Sequence, residues 1–324
     1  MQYTSFITGI TGAAGSELAE LLLEQGHFVV GLRRRTSTFN TERVEHLYKN
    51  PNFIMEWGNI TDSYCLTKIL SKHKPNFIFN AAAQSHVRVS YEVPEETWDS
   101  TAMGCLKLLN VMLEVCPKSR FVQFSSSEMF GISPCPITGY TEESKMLPAS
   151  PYAVAKLAAH NIVRNYRESY GLHASCGIMF NMEGPKRGET FVTRKISMAA
   201  SRIKTGVQDK LYLGNLDSYR DWGLSKEYME GIILLSQHNI PDDIIFASGE
   251  THSVREYLQE TFDLAGLSIE EHVVFDERLC RPEEVPYLLG DYSKAKEKLG
   301  WQPKTKFKEL VRIMYEHEID NLVR

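Results

Sequence analysis

Gly9-Ile10-Thr11-Gly12-Ala13-Ala14-Gly15 is the stretch from which the fold is read. Its G-x-x-G-x-x-G spacing lies between an apolar run, Tyr3–Thr8, and a segment of helical periodicity, Ser16–Gln25. There Leu18, Leu21 and Leu22 recur on one face, and Gly26 sits where a helix closes. Glycines at such a turn let the backbone approach a pyrophosphate, while the helix N-terminus offers N–H groups and a positive dipole end. A tight strand–helix turn needs glycine for its own sake as well. The motif therefore takes its weight from its place in the first βαβ unit.

Working outward, short apolar runs alternate with helix-like stretches. Candidate strands follow at His27–Leu32, Asn52–Trp57, Asn76–Asn80, Phe121–Ser125 and Ala174–Phe180. A long helix is expected over Glu95–Val115, with Leu106, Leu109 and Met112 on one side. The alternation predicts an α/β fold with a Rossmann-type, doubly wound parallel sheet. After Asn181 the rhythm breaks into loops rich in Gly, Pro and charge. The expectation is a dinucleotide-binding domain over 1–181 and a smaller mixed α/β substrate lobe over 182–324, with the chain free to cross between them.

Composition excludes several classes. A net charge of −5 over 324 residues leaves no basic footprint for nucleic acid. No apolar run approaches the roughly 18–20 residues that cross a bilayer. The six cysteines form no C-x-x-C pair and the ten histidines no H-x-x-x-H pair, so neither a disulfide frame nor a metal site is expected. The first residues enter a strand directly, without a leader. A cytoplasmic protein is expected.

The second strand bears on which dinucleotide is bound. An acidic residue there hydrogen-bonds the ribose 2′-hydroxyl of NAD. This chain instead runs into Arg33-Arg34-Arg35-Thr36-Ser37-Thr38. Guanidinium forks and small hydroxyls suit a 2′-phosphate, so NADP is expected. The plainer alternative is a solvated basic turn. Asn59-Ile60 and Ala81-Ala82-Ala83-Gln84-Ser85, at later strand ends, are further candidates for the cofactor's bed, or else loops of small residues.

Ser150-Pro151-Tyr152-Ala-Val-Ala-Lys156 is the most informative local signal. Ser150 suits an N-cap and Pro151 the first helical position, which places Tyr152 and Lys156 one turn apart on one face. An ammonium near a phenol lowers a pKa that starts near ~10 and favours proton removal from a hydroxyl. Upstream, Ser125-Ser126-Ser127-Glu128 ends a strand with hydroxyls and a carboxyl. Plain alcohol oxidation has no use for that carboxyl, whereas abstraction of a proton α to a new ketone does.

Together these pieces resemble the GDP-mannose 4,6-dehydratase family of extended short-chain dehydrogenases, over nearly the whole chain. More specific matches are Arg187-Gly-Glu-Thr-Phe-Val-Thr-Arg-Lys195, Leu213-Gly-Asn215, Arg220-Asp-Trp-Gly223, Arg281-Pro-Glu-Glu-Val285 and Leu289-Gly-Asp291. The resemblance implies that Tyr152, tuned by Lys156, takes the O4 proton as hydride leaves C4 for NADP. Glu128 with Ser126 then removes water across C5 and C6, and hydride returns to C6. It also implies that Lys156 and Arg187 contact the cofactor. Ser85 is placed with both cofactor and substrate, and Asn181, Val192, Lys195, Gly214, Asn215, Arg220, Arg281 and Glu284 with the GDP-sugar. A homo-oligomer, a tetramer ahead of a dimer, is implied through the Arg33–Asn40 loop.

The chain departs from the family pattern in places. Ala13-Ala14 stand for Gln-Asp, Ser126 for threonine, Met182 for histidine, Glu96 for tyrosine, and Asn59 and Pro286 each for an aspartate. The methyl missing at Ser126 leaves room near C6, so GDP-manno-heptose stands beside GDP-mannose as an alternative substrate. A GDP-sugar reductase or epimerase on the same fold, and a non-catalytic NADP(H)-sensing protein, are the other readings. Glu128 argues against the first of these, and the Tyr152–Lys156 pair against the second.

Overall fold

The computed structural model of the protein describes residues 2–280 and 282–323; Arg281, expected at the nucleotide, lies outside the described residues. The first half of the chain runs β1 (Thr4–Thr8), α1 (Ala13–Glu24), β2 (Phe28–Arg33), β3 (Phe53–Trp57), α2 (Ser63–His73), β4 (Phe77–Asn80), α3 (Val87–Glu92), α4 (Pro94–Trp98), α5 (Gly104–Val115), β5 (Arg120–Ser126), α6 (Pro151–Tyr170) and β6 (Ala174–Met179). There follow β7 (Asn181–Glu183), α7 (Val192–Lys204), β8 (Leu211–Leu213), β9 (Tyr219–Arg220), β10 (Trp222–Leu224), α8 (Ser225–Gln237), β11 (Asp243–Phe246), β12 (His252–Ser253), α9 (Val254–Ala265), α10 (Ile269–His272), β13 (Val273–Phe275), α11 (Ser293–Leu299) and α12 (Phe307–Val323).

Seven parallel strands form the central sheet in the order β11-β6-β5-β4-β1-β2-β3. Side chains alternate across it. Ile7, Phe79 and Val122 pack beneath α1, α8 and α11, while Phe6, Ile78 and Phe121 pack beneath α2, α5 and α6. Both faces are covered, which is why the strands read as continuous apolar runs. A separate apolar cluster joins α7, α9 and α12 to β8.

Two sequence expectations are corrected, at β11 and in the helix expected over Glu95–Val115. The seventh strand, β11, was not expected, because its four residues lie beyond the break in rhythm at Asn181. The chain after residue 182 contributes to both regions: α8 and α11 cover the central sheet and β11 completes it, whereas α7, α9 and α12 build the second core. The long helix expected over Glu95–Val115 is interrupted by a π-helical turn at Asp99–Met103. Beyond the turn, Cys105, Leu108, Leu109 and Met112 are buried, and Leu106 only partly so. Such turns recur at functional sites, and here Asp99 and Ser100 reach a cavity wall. Among the described residues no helix is long and apolar enough to cross a membrane.

Candidate active site

A cavity of about 1330 Å³ opens at the C-terminal ends of the central strands. Single small-molecule pockets span roughly 300–1,000 Å³. This one has room for a dinucleotide and a second nucleotide.

One half is made of backbone. Gly9 has φ +69°, and a Cβ there would come within 2.8 Å of the Ala81 carbonyl carbon. A Cβ on Gly15 would lie 2.3 Å from the Gly9 oxygen. The turn thus closes on itself and against the β4 segment only because both residues lack side chains. No side chain caps the start of α1, so its first N–H groups are left to the cavity, which Gly9, Thr11 to Gly15 and Ala81 to Ser85 all line. This cradle fits a pyrophosphate.

Arg34, Asn59 and Ile60 line the same half. Ile10 does not: its side chain is buried in the core below α1. Arg35 belongs to an adjoining groove with Trp57, Tyr64 and Lys68, and donates to the Thr36 carbonyl at 2.5 Å. The Thr36 hydroxyl turns back onto the Thr38 carbonyl at 2.5 Å, and Ser37 does not line the cavity.

The other half is made of side chains. Ser150 caps α6 by accepting from the Ala153 N–H at 3.1 Å, and Pro151 follows at the first helical position. Tyr152 and Lys156 are consequently buried side by side. Lys156 Nζ donates to the Phe124 carbonyl at 2.6 Å and lies 5.8 Å from the centre of the Tyr152 ring. Burial pushes the phenol up to about 12, against the Ser126 hydrogen bond and the Arg187 charge, with Glu128 adding to the rise. Lysine was expected to lower that phenol; in the fold its ammonium is directed at a carbonyl, and burial prevails. Burial also brings Lys156 down to about 8.

Ser126 opens a 3₁₀ turn, Ser127–Met129, and accepts from the Glu128 N–H at 3.3 Å. The Glu128 carboxyl is thereby buried at the wall it shares with Tyr152.

Facing them, Arg187 lies 3.6 Å over the Phe191 ring, with its Nε 3.1 Å from Glu183 Oε2. Thr193 donates to the same oxygen at 2.5 Å. Burial raises the Glu183 carboxyl, while Arg187 and Thr193 draw it back. Lys195 donates to the Tyr212 carbonyl at 2.6 Å. Arg220 donates to Glu284 and to the Val285 carbonyl, both at 2.7 Å. Asn181, Val192, Gly214 and Asn215 complete this wall, and the buried Oδ1 of Asn181 has no hydrogen-bond partner. Sequence reading missed Glu17, Glu183 and Phe191. The i, i+4 spacing of Glu183 and Arg187 was the available signal, obscured because no strand was expected at Asn181.

His160, Cys176 and Asp243 bring their ligand atoms within 4.8 Å of one another, a grouping that sequence spacing did not reveal because three elements supply it. Arg167 already grips both Asp243 oxygens at 2.9 Å. Although burial pushes that carboxyl up, Arg167 and His160 hold it below the usual carboxylate range. The group is built as an ion pair.

Comparison with known proteins settles the family. The family model for GDP-mannose 4,6 dehydratase matches residues 6–314. The chain belongs to the GDP-mannose 4,6-dehydratase family. As a member of it, the chain is 45% identical to GDP-mannose 4,6 dehydratase 1 of Arabidopsis thaliana, over 98% of this chain and 90% of the relative. It is 43% identical to the human GDP-mannose 4,6 dehydratase, covering 98% and 91%. Both are named for GDP-mannose, and the heptose alternative gains no support from them.

Solved structures agree on the fold. UDP-glucose 4-epimerase from Thermotoga maritima superposes with a TM-score of 0.86 at 24% identity, covering 98% of this chain and 99% of that one. The dTDP-glucose 4,6-dehydratase of Bacillus anthracis, in complex with NAD, gives 0.86 at 20% identity, covering 98% and 97%.

Proposed function

We infer that this chain is a GDP-mannose 4,6-dehydratase, that it uses NADP, and that Ser126, Glu128, Tyr152 and Lys156 carry its chemistry. The observation that bears most weight is the buried Glu128 carboxyl on the same cavity wall as Tyr152. A dehydrogenase has no task for that group; an eliminating enzyme does.

When bound, the oxidised nicotinamide supplies a hydride acceptor for C4, a positive charge beside the phenol and, once reduced, a hydride donor for C6. Tyr152 accepts the O4 proton, which its burial defers until such a charge is present. Lys156, anchored on the Phe124 carbonyl, keeps a cation behind the phenol. The C4 ketone acidifies the C5 proton. Glu128 takes that proton and passes one to O6, so that water leaves with Ser126 at hand to hold the departing oxygen. C5 then regains a proton equal in number to the one released from O4, and the residues end as they began. Arg220 and Lys195 suit the diphosphate, and Glu284 the ribose hydroxyls. Arg187, held by Glu183, would contact the cofactor.

Support for NADP over NAD comes from β2, which ends in Arg33 and runs into Arg34 on the cavity lining, with no carboxylate at that strand end. Titrating the protein with NADP and NAD by intrinsic fluorescence tests it; NADP should bind at least about tenfold tighter, for one charge-assisted phosphate contact. A homotetramer is proposed through the Arg33–Asn40 loop, which analytical ultracentrifugation checks. A cytoplasmic enzyme is proposed with it.

The decisive experiment follows the sugar. GDP-mannose incubated with the enzyme should lose one water, with no net consumption of NADPH. Glu128→Gln should oxidise C4 and stop, leaving reduced cofactor visible by its near-ultraviolet absorption. Unchanged water loss in that variant overturns the assignment.

A further inference from the structure

One register row of the central sheet is polar where its neighbours are apolar. Thr8 pairs with Asn80, Asn80 with Gln123, Gln123 with Cys176 and Cys176 with Asp243, five adjacent strands in succession. The row two residues earlier on the same face reads Phe6, Ile78, Phe121 and Ala174. Buried polar side chains cost stability unless paired, so an unbroken row of them within a parallel sheet demands a reason.

Its hydrogen bonds run in one direction. Thr8 Oγ1 donates to Asn80 Oδ1 at 2.6 Å, Asn80 Nδ2 to Gln123 Oε1 at 2.7 Å, and Gln123 Nε2 to the Phe124 carbonyl at 3.3 Å. That carbonyl is the one to which Lys156 donates. At the opposite end, Thr8 Oγ1 accepts from the Ala82 N–H at 3.1 Å, on the segment that lines the cofactor half of the cavity. Further along α6, His160 Nδ1 meets Ser125 Oγ at 3.0 Å and Arg167 grips Asp243. The catalytic helix is thus fastened to this polar layer at three places.

We propose that Gln123 is a positioning residue for the dehydration: held by Asn80 and Thr8, it fixes the Phe124 carbonyl on which Lys156 is anchored. The proposal rests on the role given to Lys156 above. The Phe124 carbonyl lies inside β5, where Gln123 and Lys156 both donate to it, so removing the amide changes the seat of that carbonyl and the buried ammonium holds its acceptor less well. The charged form of the lysine weakens, and the phenol loses the cation behind it.

The test uses Gln123→Met, which keeps the volume and deletes the amide's contacts with Asn80, Cys105 and the Phe124 carbonyl, in the cofactor-loaded enzyme. Lys156 Nζ is followed by NMR of lysine-¹⁵N-labelled protein, assigned with Lys156→Met. We expect its titration to fall by at least about half a unit. With GDP-mannose, kcat should drop about tenfold while KM stays within about twofold, the signature of misplacement rather than lost binding. Phe121→Leu, in the apolar row, is the control: it lowers the melting temperature without moving the lysine titration. Should Gln123→Met fail to fold, near-isosteric Thr8→Val removes the far donor, and a smaller shift of the same sign is expected. No lysine shift in a folded Gln123→Met, none in Thr8→Val, or an equal shift in Phe121→Leu overturns the proposal. A lysine shift in a protein that never removes water from GDP-mannose upholds the positioning and overturns only the assigned reaction.

Discussion

At the Gly9 turn the protein meets a ligand with bare backbone; across the same cavity it does so with buried charge. Gly9, Gly15 and the Ala81–Ala83 segment work by having almost no side chain, and their positions follow from the local course of β1, α1 and β4. Glu128, Tyr152, Lys156, Glu183 and Arg187 work because their charges and protons are held away from water. The first half is rigid and tolerant of pH. The second is tuned by desolvation, which makes it responsive to single atoms and to protons. The two halves should therefore fail differently.

The largest expected effect is in the charged half. Glu128→Gln removes a proton carrier while keeping shape, so water loss from GDP-mannose should fall by roughly 10²–10⁴-fold, with binding almost unchanged. Mass analysis of the sugar product checks it. In the backbone half, Gly15→Ala places a methyl 2.3 Å from the Gly9 oxygen. Relief requires the turn to move, at a cost of about 1–3 kcal/mol in stability and a comparable loss in cofactor affinity. Denaturant titration and cofactor titration measure the two together. A variant that lost activity but held cofactor normally would break the contrast drawn here.

The pH response separates the halves again. Lys156 loses its proton near 8, far below an exposed lysine, because of its burial. Activity should decline with a single ionisation above about 8, and Lys156→Met should abolish that limb. Cofactor binding over the same range should stay flat, because backbone N–H groups do not titrate. The stability sign is opposite to the activity sign. The unfolded chain binds the lysine's proton more readily between about 8 and the ordinary lysine value of 10.5, so this group's contribution to stability rises with pH through that window.

The contrast also explains what could be read in the sequence. Glycine spacing, the Ser150–Pro151 cap and the one-turn interval between Tyr152 and Lys156 are local, and helix and turn geometry convert them directly into position. The strand ends that carry Arg34, Asn59 and Ser126 were legible for the same reason. Asp243 was not, since β11 is four residues long and its pairing with Cys176 joins segments 67 residues apart. Nor was the burial of Tyr152, which reverses the expected effect on its proton. Ile10 sits inside the glycine motif yet faces the core, because alternate backbone positions at the turn point in opposite directions. Chemical class at a given spacing was visible. What surrounds each group, and hence its ionisation, depends on contacts between distant segments.

Glu17 sharpens the comparison from inside the backbone half. It lies on α1 just past the glycine turn, and it lines the cavity with one carboxylate oxygen buried and unpartnered. Burial raises it to about 7, against the nearby Ser225 hydroxyl and the Lys186 charge. The folded protein therefore holds this proton between the ordinary glutamate value of 4.5 and about 7 while the unfolded chain has released it, so its contribution to stability falls as pH rises through that window. Glu17→Gln keeps the shape without the ionisation. It should stabilise the protein by on the order of 1–2 kcal/mol at pH 8 and by much less at pH 5, a modest fraction of a typical domain's stability. Thermal unfolding of both proteins at the two pH values measures the difference. An equal effect at both would mean that the carboxyl is charged throughout, paired by Lys186, and the backbone half would then carry a built-in ion pair of its own.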